Sequence, residues 1–143
     1  MINAFTNKHL DQIVEIEKTN FENPWSTKQF YIYSMQLNIS LSYVYYQSSK
    51  VIGYLMSEII TNEVHLHNIA VEKKYQNNRV GLKLIRHLIK RSQLLNKEKI
   101  CLEVNSANVP ALNLYHYLGF SVVGKRKGYY NNNKDAILMD FIL

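Results

Sequence analysis

A single cysteine, Cys101, is all the thiol chemistry this 143-residue chain possesses, so no intramolecular disulfide can form and nothing requires an oxidising compartment. No stretch approaches the roughly 18 consecutive apolar residues that a membrane-spanning helix needs. The start, Met1-Ile2-Asn3-Ala4-Phe5, has no basic segment leading a long apolar run, so no secretion signal is expected. These absences favour a protein of the reducing cytoplasm with no membrane partner. Internal repeats are missing too, and the only biased tract is the triplet Asn131-Asn132-Asn133, which a hairpin tip explains.

What is present fits one domain spanning residues 1–143, large enough to bury roughly two thirds of its unfolded surface without a disulfide or structural metal. Seventeen basic against eleven acidic residues give a net charge of +6, a bias toward an anionic ligand or partner, either a small molecule or an RNA-rich particle. Leu10, Ile13, Val14 and Ile16 predict a helix that Thr6 or Asn7 can cap. Ser26 followed by Gln29 forms a capping box behind Pro24-Trp25 and predicts a second helix running toward Met35. The β-branched and aromatic runs 41–47, 51–60 and 64–71 read as an antiparallel meander after a short strand near Ile2 to Phe5. A helix over about 80–95, a strand over 99–104, a helix over 109–118 and two strands, 121–129 and 136–142, complete the chain. In the second half, strands alternating with helices predict a mixed α/β (α+β) sheet, parallel where a helix intervenes, with about four helices in all.

Between the third meander strand and the basic helix lies Tyr75-Gln76-Asn77-Asn78-Arg79-Val80-Gly81-Leu82. A helix N-terminus presents unpaired N–H groups and roughly +0.5 elementary charge, so Asn77, Asn78, Arg79, Val80, Gly81 and Leu82 are a candidate seat for a pyrophosphate. The same turn also reads as a plain strand-to-helix connection. Val80, Leu84, Ile85, Leu88 and Ile89 form one apolar stripe, leaving Lys83, Arg86, Lys90 and Arg91 mostly in water.

Further on comes Leu102-Glu103-Val104-Asn105-Ser106-Ala107-Asn108-Val109-Pro110-Ala111-Leu112-Asn113-Leu114-Tyr115, then His116-Tyr117-Leu118-Gly119-Phe120. A Gln-x-x-x-x-Gly turn paired with a later Asn-x-x-Ala-x-x-Leu-Tyr-x-x-x-Gly-Phe run resembles the GNAT family of acetyl-CoA-dependent N-acetyltransferases. Asn23-Pro24-Trp25-Ser26 and His67-Asn68-Ile69-Ala70-Val71 narrow the resemblance to the branch that acetylates the N-terminal alanine of a ribosomal protein. It covers nearly the whole chain and implies a GNAT-like, mostly antiparallel sheet, acetyl-CoA as co-substrate and a ribosomal-protein N-terminus as acceptor. A monomer with no requirement for direct nucleic-acid binding is expected. The sequence departs from the family pattern at Arg79, where glycine is usual. A positive φ there costs on the order of 1 kcal/mol, which charge-assisted hydrogen bonds from a guanidinium to a pyrophosphate can offset.

Amine acetylation needs an acceptor for the amine proton and a donor for the departing thiolate. Alternation along the strand places Cys101 and Glu103 on one face and Leu102 and Val104 on the other. By resemblance Glu103 takes the proton and Tyr115 donates one to sulfur, while Asn108, two turns before Tyr115, holds the pantetheine arm. The same resemblance gives the backbone of Ile69, Ala70 and Val71 to the pantetheine arm and thioester carbonyl. Taken alone, Glu103 equally suits a solvated strand end, Tyr115 a packed ring, and Ile69 to Val71 an ordinary apolar strand end. Tyr129, Tyr130 and Pro24-Trp25 can line an acceptor groove or simply pack. His65-x-His67 shares a strand face, yet sequence spacing supplies no third or fourth ligand, so no metal is expected. Cys101 has no evident activating histidine, which favours direct transfer over an acetyl-cysteine route. Lysine, polyamine or aminoglycoside acceptors remain alternatives, as does a non-catalytic acetyl-CoA or RNA-binding module.

Overall fold

The computed structural model describes residues 1–36 and 38–143. Its elements are β1 (Ile2–Ala4), α1 (Leu10–Asn20), α2 (Thr27–Met35), β2 (Tyr43–Gln47), β3 (Lys50–Ile60), β4 (Glu63–Val71), α3 (Val80–Leu94), β5 (Lys99–Asn105), α4 (Val109–Leu118), β6 (Ser121–Tyr130) and β7 (Lys134–Ile142). One seven-stranded sheet runs in the order β1-β2-β3-β4-β5-β7-β6. The meander β2-β3-β4 pairs antiparallel as expected, and β4 pairs parallel with β5 across the crossover through α3. The expectation of parallel pairing at every intervening helix fails at α4. There β7 folds back from β6, inserts beside β5 and pairs antiparallel with both, so β6 ends at the sheet edge. The hairpin contact forms locally and fills the position a parallel β6 would have taken.

Each sheet face buries one cluster. Leu55, Leu66, Ile100, Leu102 and Val104 pack against Leu84, Ile85 and Leu88 of α3 and Tyr115 of α4. On the other face Val44, Tyr54, Met56 and Ala70 pack against Ile13 and Ile16 of α1 and Phe30 of α2. Gly53 of β3 lies under the start of α3, where a Cβ would sit 3.1 Å from Val80 Cγ1 and 3.2 Å from the Ala70 carbonyl oxygen. That close approach seats α3 on the sheet centre.

Two features of β4 prepare the site. The β3–β4 register passes from Met56↔Asn68 to Ser57↔Leu66, so His67 is an extra residue in a bulge. The β4–β5 ladder also stops at Leu66↔Leu102. Beyond those rungs β4 continues with β3 alone and β5 with β7 alone. A bulge bends its strand and ends pairing, so the sheet opens into a V between Asn68–Val71 and Glu103–Asn105.

Candidate active site

The turn into α3 lies at the same end of the sheet as the V. Asn77 and Arg79 both adopt the left-handed conformation, with φ of 66° and 62°. Arg79 thus carries the strain that glycine would avoid. It is the N-cap of α3 and supplies no side-chain cap. The first helical N–H with an intrahelical acceptor is that of Lys83, 3.0 Å from the Arg79 carbonyl. Among the described residues the N–H groups of Val80, Gly81 and Leu82 have no protein acceptor, and no acidic side chain occupies the first turn. A Cβ at Gly81 would meet only Leu114, at 3.5 Å, so packing alone does not demand glycine there. The donors and the dipole fit an anion.

Sequence reasoning missed the ties that hold this turn. The Gln76 amide donates to the Val71 carbonyl at 2.9 Å and to Asn20 Oδ1 at 3.2 Å, while Asn20 Nδ2 donates to the same carbonyl at 3.1 Å. The Val71 carbonyl is therefore engaged within the protein. On the β5 side, the backbone at Ile69 and Ala70 borders the open V.

Glu103 projects from β5 away from the apolar face, as alternation predicts, and faces the edge strand β6 across β7. Its carboxylate Oε1 forms an ion pair with Arg126 Nη2 at 3.2 Å, and the Arg126 guanidinium lies 5.6 Å from the centre of the Tyr129 ring. The ring of Tyr129 meets that of Tyr130 edge to face at 5.1 Å. Tyr115 is buried, packed on Phe120 with ring centres 5.6 Å apart. Burial, with Tyr130 adding to it, pushes its phenol well above the ordinary value, so it stays protonated at neutral pH. Burial and the Glu103 charge push Tyr130 up as well. Asn108 caps α4, its Oδ1 accepting from Ala111 N at 3.2 Å.

Of the residues expected to line a groove, Trp25 is held by a carboxylate that the sequence did not single out. Glu17 of α1 is 2% exposed and accepts from Tyr54 Oη, from Asn68 Nδ2 at 2.9 Å and from the Trp25 N–H at 2.8 Å. Three donors satisfy the buried charge and tie the α1–α2 connection to β3 and β4. Trp25 is stacked on Tyr33 at 5.6 Å and tilted against Phe30 at 5.2 Å, so its ring is held by packing. A separate cleft of about 420 Å³, lined by Asp11, Gln12, Glu15, Lys50 and Glu72 among others, holds none of the residues singled out from the sequence.

An open sheet V, an uncapped helix start beside it, and a carboxylate and a buried phenol flanking it match one class of enzyme. Residues 10–120 match the model of the acetyltransferase (GNAT) family, and the chain belongs to that family of acyltransferases, whose members use acetyl-CoA. It is similar to the ribosomal protein bS18-alanine N-acetyltransferase of Escherichia coli strain K12, 31% identical over 141 residues that cover 96% of this chain and 94% of that one. It is also similar to an N-alpha-acetyltransferase of Sulfurisphaera tokodaii, 28% identical over 91% of this chain and 85% of that one. The crystal structure of the ribosomal-protein-S18-alanine N-acetyltransferase from Escherichia coli superposes with a TM-score of 0.93 at 30% identity, covering 99% of this chain and 92% of that one.

Proposed function

We propose that this chain acetylates the N-terminal alanine of ribosomal protein bS18 in the cytoplasm, acting as a monomer by direct transfer from acetyl-CoA. The carrying observation is the V beyond Leu66↔Leu102, with the open start of α3 at one side and Glu103 at the other. Likeness over nearly the whole chain to an enzyme named for that substrate supports the acceptor. Acetyl-CoA supplies an acetyl thioester. Its pyrophosphate would be held by the N–H groups of Val80, Gly81 and Leu82, with Asn77, Asn78 and Arg79 forming the turn around it. The pantetheine arm would run along Ile69, Ala70 and Val71, with the Asn108 amide NH₂ as a donor.

In the proposed transfer the amine nitrogen bonds to the thioester carbonyl carbon and the carbon–sulfur bond breaks. The amine proton goes to Glu103 through water, and the departing sulfur takes the Tyr115 phenolic proton. An α-amine titrates near 7.7–8.0 and a lysine near 10.4, so a weak carboxylate base suffices for an N-terminus. The Tyr115 phenol, held protonated by burial, is suited to donation.

The test incubates the protein with acetyl-CoA and two peptides, one with a free alanine N-terminus and one identical but N-blocked with an internal lysine. Mass spectrometry is expected to find acetyl only on the free N-terminus, and Glu103→Gln to lose it. Transfer to lysine would replace the acceptor class, and coenzyme binding without transfer to either peptide would point to a small amine or a non-catalytic role.

A further inference from the structure

The parallel pairing of β4 with β5 brings together groups far apart in the chain. His65 and Cys101 are directly opposed on neighbouring strands, and Glu63 lies two rungs away on the same face, opposite Lys99. Glu63 Oε2 is 2.9 Å from His65 Nε2 and 3.5 Å from Cys101 Sγ, and a ligand atom from each of the three residues falls within 4.8 Å of the other two. Ligand atoms around a tetrahedral zinc lie roughly 3.3–3.8 Å apart, given bond lengths of about 2.0–2.3 Å, so a small contraction converts the cluster into a coordination shell. We infer that Glu63, His65 and Cys101 form a binding site for a borderline-soft divalent cation of the zinc type, with the fourth position left to water.

Charge supports this reading. Lys99 bridges the outer side of the cluster, 3.1 Å from Asp140 and 3.6 Å from Glu63 Oε1, leaving Glu63 Oε2 turned inward. With the imidazole neutral, as ligation requires, two carboxylates and one ammonium leave a single negative charge around a protonated thiol. A divalent cation that displaces the Sγ proton to solvent and bonds to the thiolate brings the cluster to neutrality. The thiolate and imidazole select zinc-like ions over magnesium. The site spans the first three of the four β4–β5 rungs that precede the V, where the ion would tie the two strands together. It is independent of the acetyl acceptor.

The reduced, metal-free full chain is titrated with Co²⁺ as an optical probe. The expected result is a thiolate-to-cobalt charge-transfer band that saturates at one equivalent and is displaced by Zn²⁺. Cys101→Ser should abolish the band and weaken binding ~100-fold or more, and His65→Asn should weaken it at least ~10-fold, with circular dichroism unchanged in both. No band in the native chain, or a band unaltered in either variant, would overturn the site.

Discussion

The four α-helices among the described residues begin in different ways. At α4 every early donor is accounted for: Val109 N–H donates to Ala107 at 3.0 Å, Pro110 has no N–H, Ala111 donates to the Asn108 side chain and Leu112 to the Asn108 carbonyl. At α2 the Ser26 hydroxyl accepts from Gln29 N at 3.2 Å, and Gln29 Oε1 accepts from Ser26 N at 2.7 Å. At the entrance to α1 a buried His9 accepts the Thr6 N–H on Nδ1 at 3.0 Å. Only α3 starts with a strained residue, no side-chain cap and three free donors among the described residues. The starts of α2 and α4 each have a side-chain acceptor from their own N-cap residue, and the one beside the open V is available to an anion.

The largest effect is expected where α4 contributes a side chain from its flank, not its end. Tyr115→Phe should lower kcat ~100-fold or more in steady-state assays while leaving the KM for acetyl-CoA near its native value. The opposite split sharpens the contrast. Asn78→Glu places a carboxylate at the open start of α3, where it should raise the Kd for coenzyme A roughly 5- to 30-fold by calorimetry, yet raise Tm slightly by complementing the dipole. At the closed start of α4, Asn108→Ala should cost about 1 kcal/mol in urea unfolding. Arg79→Gly removes the left-handed strain and should add ~1 kcal/mol of stability, with weaker coenzyme binding if the guanidinium reaches the pyrophosphate.

The start of α1 yields a pH effect. Burial first, then the neighbouring Lys8, lowers the His9 pKa below its ordinary 6.5. The folded protein therefore resists a proton that the unfolded chain accepts. Stability is full above about pH 6.5 and falls as pH drops below it, levelling only beneath the folded value. His9→Gln should flatten that part of a Tm-versus-pH curve.

Local periodicity made most elements legible: the Ser26 capping box starts α2, the meander pairs as read, and the apolar stripe of α3 faces the core. Glu103 and Cys101 share a face because strands alternate. Long-range register was not legible. The insertion of β7 beside β5 depends on a hairpin that outcompetes a parallel strand. The meeting of His65 with Cys101 depends on which rungs β4 and β5 align, and Glu17 gathers its donors from three separate segments. The Arg126 partner of Glu103 arrives from the edge strand for the same reason. Arg79 is the intermediate case, since sequence raised its positive φ and the fold realises it at 62°.

The most direct measurement is backbone amide chemical shift on titrating the protein with coenzyme A. The account predicts saturating shifts concentrated at Val80, Gly81 and Leu82, with little change at Ala111 and Gln29, whose donors are already engaged. Equal perturbation of all three helix starts, or none at α3 under saturating coenzyme A, would contradict it.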